Sequence, residues 1–179
     1  MDDSVTTDEQ LMAQIARGDQ AALAALTQRY WEAIRRFCAS YMDDDALGED
    51  VAQETFSKLA ATGELPTGAV KPWLYKVARN RCLDILRRHQ RSPTHNRPIK
   101  SGFDAARETA GPQTRAVREE RAELIRQIIS TMPEEYKSVL VLKHYESLSR
   151  EEMAEALGIT DAAVKGRSFG HRNTCVRNS

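Results

Sequence analysis

The stretch SREEMAEALGITDAAVKGR, residues 149–167, decides the fold of the C-terminal part of the chain. Ser149 and Glu152 have the spacing of a capping box, which predicts the start of a helix. Gly158 predicts the end of that helix, and Thr160 predicts the N-cap of a second one. Two capped helices separated by a glycine turn are typical of a helix-turn-helix.

The second helix of this motif carries side chains suited to DNA. Lys165 and Arg167 can contact phosphates and base edges from a helix that lies in a major groove. A lone helical corner of this kind can also be inert, and on the motif alone that alternative stays open. The coincidence of the caps with two basic residues favours DNA binding.

The chain upstream of the motif shows where the domain begins. Pro133 and the two glutamates after it predict the first turn of a preceding helix, with carboxylates at the positive end of its dipole. Residues 92–116 lose the apolar period and contain three Pro and two Gly, so they are predicted to form a flexible linker. Residues 117–179 then form a helix-turn-helix domain.

The N-terminal part of the chain shows apolar residues at helical spacing and no strand-like alternation. Three amphipathic helices are predicted, the second after the aspartates at positions 43–45 and the third from about Pro72. The expected fold is all-α, with two small helical domains, residues 1–91 and 117–179, joined by the linker. The acidic start MDDSVTTDE is expected to be a solvated tail. The apolar stripes comprise Leu23, Leu26, Tyr30, Ile34, Phe37 and Tyr41; then Leu47, Val51, Phe56 and Leu59; then Leu74, Val77, Ala78, Cys82 and Ile85.

Charge is segregated along a chain whose formal net charge is zero. Residues 1–65 carry 13 acidic and 5 basic side chains, whereas residues 66–100 carry 9 basic side chains and one acidic one. A concentrated basic block indicates contact with a polyanion such as nucleic acid. The alternative, that the basic helix only neutralises the acidic first segment, also fits these counts.

Several classes of protein are disfavoured by the same sequence. No apolar run approaches the ~20 residues of a membrane span and the start is no signal peptide, so we expect a cytoplasmic protein without membrane insertion. Three dispersed cysteines predict neither a disulfide scaffold nor a zinc module, and His171 and Cys175 alone make a weak ligand pair. Without paired carboxylates, a P-loop or a nucleophile triad, we expect no enzyme activity, cofactor or metal.

Three segments in this order resemble the extracytoplasmic-function (ECF) branch of the sigma-70 family of bacterial RNA polymerase initiation factors. They are DDALGEDVAQETFSKL, KPWLYKVARNRCLDILRR and STMPEEYKSVLVLKHYESLSREEMAEALGITDAAVKGR. The resemblance runs from about Asp8 to Arg167. It implies an alternative sigma factor that binds the polymerase core, directs promoter recognition and assists DNA melting. The alternative is a helix-turn-helix regulator that acts without docking on polymerase.

The resemblance implies that the second predicted helix docks on the clamp helices of the polymerase β′ subunit. Acidic and amide groups around an exposed aromatic ring would suit such an interface. Without the resemblance, a solvated helix face with a half-buried aromatic residue explains the same pattern. The implied core-binding residues are Glu49, Asp50, Gln53, Glu54 and Phe56.

The third predicted helix resembles the element that binds and melts the promoter −10 region. The loop at positions 62–70 would hold an unstacked base, since its glycines allow close backbone approach. Amide and guanidinium groups on the helix can bind base edges and phosphates. Trp73 is alternatively a core residue, and Arg81 alternatively pairs with the acidic first helices. The implied −10 contacts are Trp73, Lys76, Arg79, Asn80, Arg87 and Arg88.

The second domain resembles the element that reads the promoter −35 region. The implied contacts in the major groove are Thr160, Lys165, Arg167 and Phe169. The resemblance also implies contact with the polymerase β flap and passage of the linker through the active-site cleft and RNA exit path. Control by an anti-sigma factor is expected on the same ground.

The tail SFGHRNTCVRNS, residues 168–179, departs from the family pattern. The buried stripe of the last helix should continue from Val164 to positions 168, 171 and 175, which hold Ser, His and Cys, and Gly170 weakens a helix. We therefore expect this helix to fray soon after Arg167 and −35 binding to be weak. One explanation is a frameshift, because codons can be chosen for the tail such that one base restored at Arg167 gives IFRASQHLRPQL. Natural divergence and an engineered end are the alternatives.

Overall fold

A computed structural model of the chain describes residues 6–42, 44–61, 68–91, 132–144 and 146–176. These ranges form seven α-helices and contain no strand, which confirms the all-α prediction. The predicted linker and the first fifteen residues of the predicted second domain lie outside the described residues. The helices are α1 (Asp8–Ile15), α2 (Gln20–Met42), α3 (Asp45–Ala61), α4 (Val70–Arg91), α5 (Glu134–His144), α6 (Arg150–Leu157) and α7 (Asp161–Val176).

Helix α2 is the centre of the first domain. Of its predicted stripe, four side chains are almost completely buried, and Leu23 and Tyr30 are half-buried at the periphery. Helices α3 and α4 pack on α2 and complete the core with their own apolar stripes. The side chains at its centre are Leu26, Ile34, Phe37, Tyr41, Val51, Leu59, Leu74, Ala78 and Cys82.

Helices α2 and α3 come into unusually close contact at Gly48. A Cβ atom at this position would lie 2.6 Å from the backbone nitrogen of Ala39 and 2.7 Å from its Cα. Upstream, Asp44 accepts hydrogen bonds from the amides of Ala46 and Leu47, so the predicted aspartate cap of this helix is confirmed. Glycine therefore sets the spacing of the two helices just after the point where α3 begins.

Helix α1 corrects the prediction of a solvated acidic tail. Thr7 and Gln10 form a capping box, and Leu11 is buried in the core. The Asp8 carboxylate accepts hydrogen bonds from Arg29 and Tyr30 of α2. Burial, followed by this carboxylate, raises the pKa of the Tyr30 hydroxyl. The last residues of MDDSVTTDE are thus part of the first domain.

The second domain has the predicted helix-turn-helix. The Ser149 hydroxyl accepts from the Glu152 amide at 3.1 Å, and the Glu152 carboxylate accepts from the Ser149 amide at 2.7 Å. Gly158 ends α6 in the left-handed conformation, with φ of 64°. Thr160 caps α7 by accepting from the Ala163 amide at 3.2 Å. Local sequence signals therefore predicted the positions of both helix ends.

The second domain packs directly on α2 and α4 of the first. Tyr41 and Ser138 share a hydrogen bond of 2.9 Å, and Tyr75 donates one of 2.6 Å to Glu146. All four residues are buried. The sequence predicted the two domains but not this contact between them.

Candidate polymerase and nucleic-acid interfaces

The acidic face of α3 is accessible to a partner. Glu49, Asp50, Gln53 and Glu54 are all exposed on the side of α3 that points away from the core. Phe56 is only 6% exposed, and its ring centroid lies 5.8 Å from that of Trp31. The expectation of an exposed aromatic residue was therefore wrong. Helical spacing places Phe56 on the same face as Ala52 and Leu59, which are buried.

An ion pair joins this acidic face to α4. Arg81 donates from two nitrogens to the two carboxylate oxygens of Glu54, one of these bonds measuring 2.9 Å. The hydrogen bond to Glu54 raises the pKa of Arg81, so the guanidinium stays charged. The alternative that Arg81 pairs with the acidic first helices is confirmed. Glu54 thus lies at the junction between the predicted core-binding helix and the predicted DNA-facing one.

A polar cleft of about 320 Å³ separates α3 from α4. On the α4 side, Trp73, Lys76 and Asn80 line it, and the α3 wall includes Glu54 and Lys58. Trp73 is half-buried, so it contributes to the core and also borders the cleft. The aromatic ring, the ammonium and the amide together could hold a nucleobase and its phosphate.

The remaining predicted −10 residues separate into two groups. Arg87 and Arg88 are exposed near the C-terminal end of α4, and Arg87 lies 3.5 Å from Asp84 on the next turn. Arg79 lies elsewhere, because its side chain is 18% exposed and points towards the second domain. There its Nε donates to the Ser138 hydroxyl at 2.7 Å. Five of the six residues thus face solvent or the cleft, and Arg79 faces α5.

The first turns of α7 present the predicted −35 residues. Thr160 and Lys165 are exposed, and Arg167 is half-buried with a guanidinium nitrogen 3.8 Å from Glu135. The Thr160 hydroxyl caps the helix as an acceptor, which leaves its proton available to donate. The side chain of Phe169 lies outside the described residues. Val164, completely buried, fixes α7 to the domain.

The backbone of α7 continues to Val176, so the expectation that this helix frays soon after Arg167 was wrong. Helical hydrogen bonds are local, and one interior glycine costs only ~1 kcal/mol relative to alanine. The side chains at 169–176, including the His171 and Cys175 pair, lie outside the described residues. Among the described side chains, no group of three or more could hold a metal ion.

Two family models match the chain in the predicted order. The model of Sigma-70 region 2 matches residues 26–92, and that of Sigma-70 region 4 matches residues 122–167. The second match ends at Arg167, the last residue before the tail that departs from the family pattern.

Curated relatives match over most of their length. The ECF RNA polymerase sigma factor SigM of Bacillus subtilis is 31% identical over 147 residues, which cover 81% of this chain and 87% of SigM. The chain belongs to the ECF RNA polymerase sigma factors. The RNA polymerase sigma-H factor of Pseudomonas aeruginosa is 28% identical over 173 residues, covering 92% of this chain and 90% of the relative. The ECF RNA polymerase sigma-E factor of Escherichia coli is 27% identical over 175 residues, covering 93% and 91%.

The fold agrees with this family. The structure of CnrH in complex with the cytosolic domain of CnrY superposes with a TM-score of 0.68 and 24% identity, covering 93% of this chain and 92% of CnrH. This sigma factor directs promoter recognition with RNA polymerase. The region 2 match decides against a regulator that acts without polymerase. In the described ranges, no helix combines the length and hydrophobicity that crossing a membrane requires.

The sequence did not predict the residues that form the contact between the two domains of the sigma factor. Tyr41 was predicted as an ordinary core residue, and Tyr75, Ser138 and Glu146 were given no role. A buried tyrosine needs a hydrogen-bond partner for its hydroxyl. That requirement helps to predict a contact only once the tyrosine is known to be buried. The partners are 71 and 97 residues away in sequence, so no local pattern identifies them.

Proposed function

We propose that the exposed acidic face of α3 is the surface that docks on the β′ clamp helices of RNA polymerase. The observation that supports it is four polar side chains, Glu49, Asp50, Gln53 and Glu54, exposed together on a rigid helix. A face with three carboxylates and one amide suits a basic partner helix. Phe56 supports this surface from the core and takes no direct part.

The cleft between α3 and α4 is proposed as the site where −10 DNA is bound and melting is assisted. The convergence of Trp73, Lys76 and Asn80 on one polar cleft is the single observation that carries this proposal. The amide can bond to a base edge, the ring can stack and the ammonium can neutralise a phosphate. Arg87 and Arg88, exposed further along α4, extend the positive surface along the strand.

The N-terminal half of α7 is proposed to read the −35 element. Lys165 is exposed, and the Arg167 guanidinium lies 3.8 Å from the Glu135 carboxylate, a distance at which the pair is weak. Both the ammonium and the guanidinium can therefore turn to DNA. Thr160, at the helix start, is placed for a phosphate, and Phe169 completes the proposed set. Contact of this domain with the β flap belongs to the same proposal.

The chain is proposed to contribute no catalytic residue, because nucleotide addition belongs to the polymerase. It would act in the cytoplasm, where polymerase and promoter DNA are. Regulation by an anti-sigma factor, expected from the family resemblance, is part of this proposal.

The test is reconstitution with core polymerase. Templates are first selected from a random-sequence library for run-off transcription by the wild-type holoenzyme. We expect Asn80→Ala to lower promoter opening by about 5- to 150-fold, the effect of losing one base-edge contact of ~1–3 kcal/mol, with core binding unchanged. Arg87→Ala should weaken DNA binding and reduce its salt dependence. Arg17→Ala, an exposed arginine outside α4, is the matched control.

Docking is tested separately by charge reversal. Asp50→Arg should abolish co-purification with core, whereas Glu9→Arg, at an exposed position of α1, should not. If Asn80→Ala and Asp50→Arg reduced core binding and opening in the same proportion, the division of the first domain into a docking face and a DNA cleft would be incorrect.

A further inference from the structure

A single acidic residue interrupts the basic block of the chain. Residues 66–100 carry 9 basic side chains, and Asp84 of α4 is their one acidic residue. Its side chain lines the polar cleft between α3 and α4, on the same wall as Asn80. A carboxylate repels the phosphates of a bound strand. Asp84 therefore opposes the charge attraction that the rest of α4 provides.

The other carboxylate that lines the cleft has a structural role, which Asp84 lacks. Glu54 accepts hydrogen bonds from two nitrogens of Arg81, so its charge is neutralised and α3 is joined to α4. Asp84 lies 3.5 Å from a guanidinium nitrogen of Arg87 on its own helix, and both side chains are more than half exposed. An exposed pair of this kind contributes little to stability. The fold therefore gains little from Asp84.

Arg87 makes this carboxylate compatible with a DNA strand. Its guanidinium offsets the repulsion between the Asp84 carboxylate and a neighbouring phosphate. The pair joins Arg87 to the Oδ1 atom of Asp84. An ionised carboxylate has about four acceptor sites on its two oxygens, so Oδ2 can accept a hydrogen bond from a base while the pair persists.

The polar side chains on this wall of the cleft follow one line along α4. Lys76, Asn80 and Asp84 are spaced four residues apart, so they lie on one face of the helix, about 6 Å from one to the next along its axis. Successive bases of one strand of B-form DNA are about 3.4 Å apart. Asn80 and Asp84 can therefore face bases that are one or two steps apart.

Asp84 lies far from the end of α4 at which melting is expected. The loop expected to hold an unstacked base precedes α4, which begins at Val70. Asp84 is 14 residues after Val70, or roughly 21 Å along the helix axis. The base pairs that face Asp84 therefore belong to the part of the −10 site that is still duplex, and they are read through the major groove.

A carboxylate and an amide recognise different bases in the major groove. An ionised carboxylate only accepts hydrogen bonds, whereas an amide both donates and accepts. Cytosine presents its N4 amino group as a donor, which suits a carboxylate, and adenine presents the N6 donor beside the N7 acceptor, which suits an amide. Guanine and thymine present acceptors on this edge, which a carboxylate repels. The side chain of Asp84 therefore suits cytosine.

We propose that Asp84 is a specificity-determining residue of the −10 site, and that it selects a cytosine one or two positions from the base that Asn80 contacts. The N4 amino group of this cytosine donates a hydrogen bond to the Asp84 carboxylate. The inference rests on the proposed role of the cleft at the −10 element. It adds sequence preference to that role, because contacts between arginine or lysine and phosphates carry no sequence information.

The test uses the full chain in holoenzyme reconstituted with core polymerase. One template that the wild-type holoenzyme transcribes is remade with each of the four bases at every position of its −10 element. Run-off transcription is measured on every template for the wild type, Asp84→Asn, Asp84→Ala and Asn80→Ala. Glu9→Gln, which removes a carboxylate from an exposed position of α1, is the matched control. Circular dichroism and co-purification with core polymerase verify that each variant folds and docks.

The wild type and Glu9→Gln should prefer cytosine to adenine at one position by about 5-fold or more, the smallest discrimination of a good base contact. Asp84→Asn should prefer adenine at that same position, because its amide can donate to N7 and accept from N6. Asp84→Ala should transcribe the two templates within about 2-fold of each other, since it has neither group. The position at which Asn80→Ala changes the preference should lie one or two steps away.

Three results would overturn the proposal and leave the role of the cleft intact, provided that Asn80→Ala still impairs opening. In the first, the Asp84 variants keep every base preference of the wild type. In the second, they increase transcription evenly from all templates, so that Asp84 only repels DNA. In the third, the preference that depends on Asp84 is for guanine, whose donors lie on the Watson–Crick edge of an unpaired base. If Asn80→Ala also changes neither opening nor preference, the proposed −10 role of the cleft itself is wrong.

Discussion

Replacing Gly48 with alanine should destabilise the first domain, although alanine is the better helix former. The new Cβ atom would lie 2.6 Å from the backbone nitrogen of Ala39, whereas heavy atoms pack at ~3.5–4.0 Å. The obstructing atoms are backbone and cannot rotate aside, so α2 and α3 must move apart by about 1 Å. Overpacking costs ~1–3 kcal/mol, and alanine regains ~1 kcal/mol of helix propensity. From the upper part of the first range we expect a net loss of about 1–2 kcal/mol.

A second glycine provides the matched control. Gly166, in α7, has no atom within 4 Å of the position of its Cβ, so Gly166→Ala should gain up to ~1 kcal/mol. The free energy of unfolding is measured for both variants by urea titration followed by far-UV circular dichroism. Because α3 carries the proposed docking residues, Gly48→Ala should also weaken core binding. A Gly48→Ala chain as stable as wild type would refute the reasoning.

Three further predictions concern other parts of the molecule. Burial raises the pKa of the Glu146 carboxyl above its ordinary value of 4.5. The folded chain therefore binds a proton at Glu146 more tightly than the unfolded chain does. The protonated carboxyl stabilises the fold below about pH 4.5, and this stabilisation is lost as the pH rises. The difference in unfolding free energy between wild type and Glu146→Gln should therefore change with pH above 4.5, and a constant difference would contradict the burial. Cys38 and Cys82 are both buried. The hydrogen bond with Cys82, together with burial, raises the pKa of the Cys38 thiol. In a Cys175→Ser background, neither thiol should therefore react with an aromatic disulfide reagent until urea is added. Sequencing the coding DNA tests the frameshift hypothesis for residues 168–179, because codons incompatible with IFRASQHLRPQL in the restored frame would exclude it.

Signals that act within a few residues were predictable from the sequence. The capping box of α6 and the left-handed Gly158 depend on atoms three or four positions away, so residue identity alone determines them. The polar cleft could be predicted only in part. The sequence placed Lys76 and Asn80 on one stripe of α4, but the opposite wall comes from α3 and depends on how the two helices pack.

Two misjudged features, α1 and Arg79, share one physical cause, which is a partner far away in the sequence. Helix α1 has a single buried apolar residue and is held by Arg29 and Tyr30 across 21 and 22 positions. Phe56 is different, because its helical spacing already placed it on the buried stripe and only the family resemblance suggested an exposed ring. The position of Arg79 on α4 suggests a contact with DNA. Its hydrogen bond to Ser138, 59 residues later in the chain, forms only because the second domain packs on α4.

The buried Tyr75–Glu146 bond limits how freely the two domains can be exchanged between relatives. A hybrid that takes its second domain from another sigma factor keeps this bond only if that domain has a hydrogen-bond acceptor in the place of Glu146. A buried hydroxyl left without a partner costs ~1–3 kcal/mol, which would weaken the contact between the two domains. Hybrids intended only to change promoter preference should therefore also be less stable, unless the residues on both sides of the contact are transplanted together.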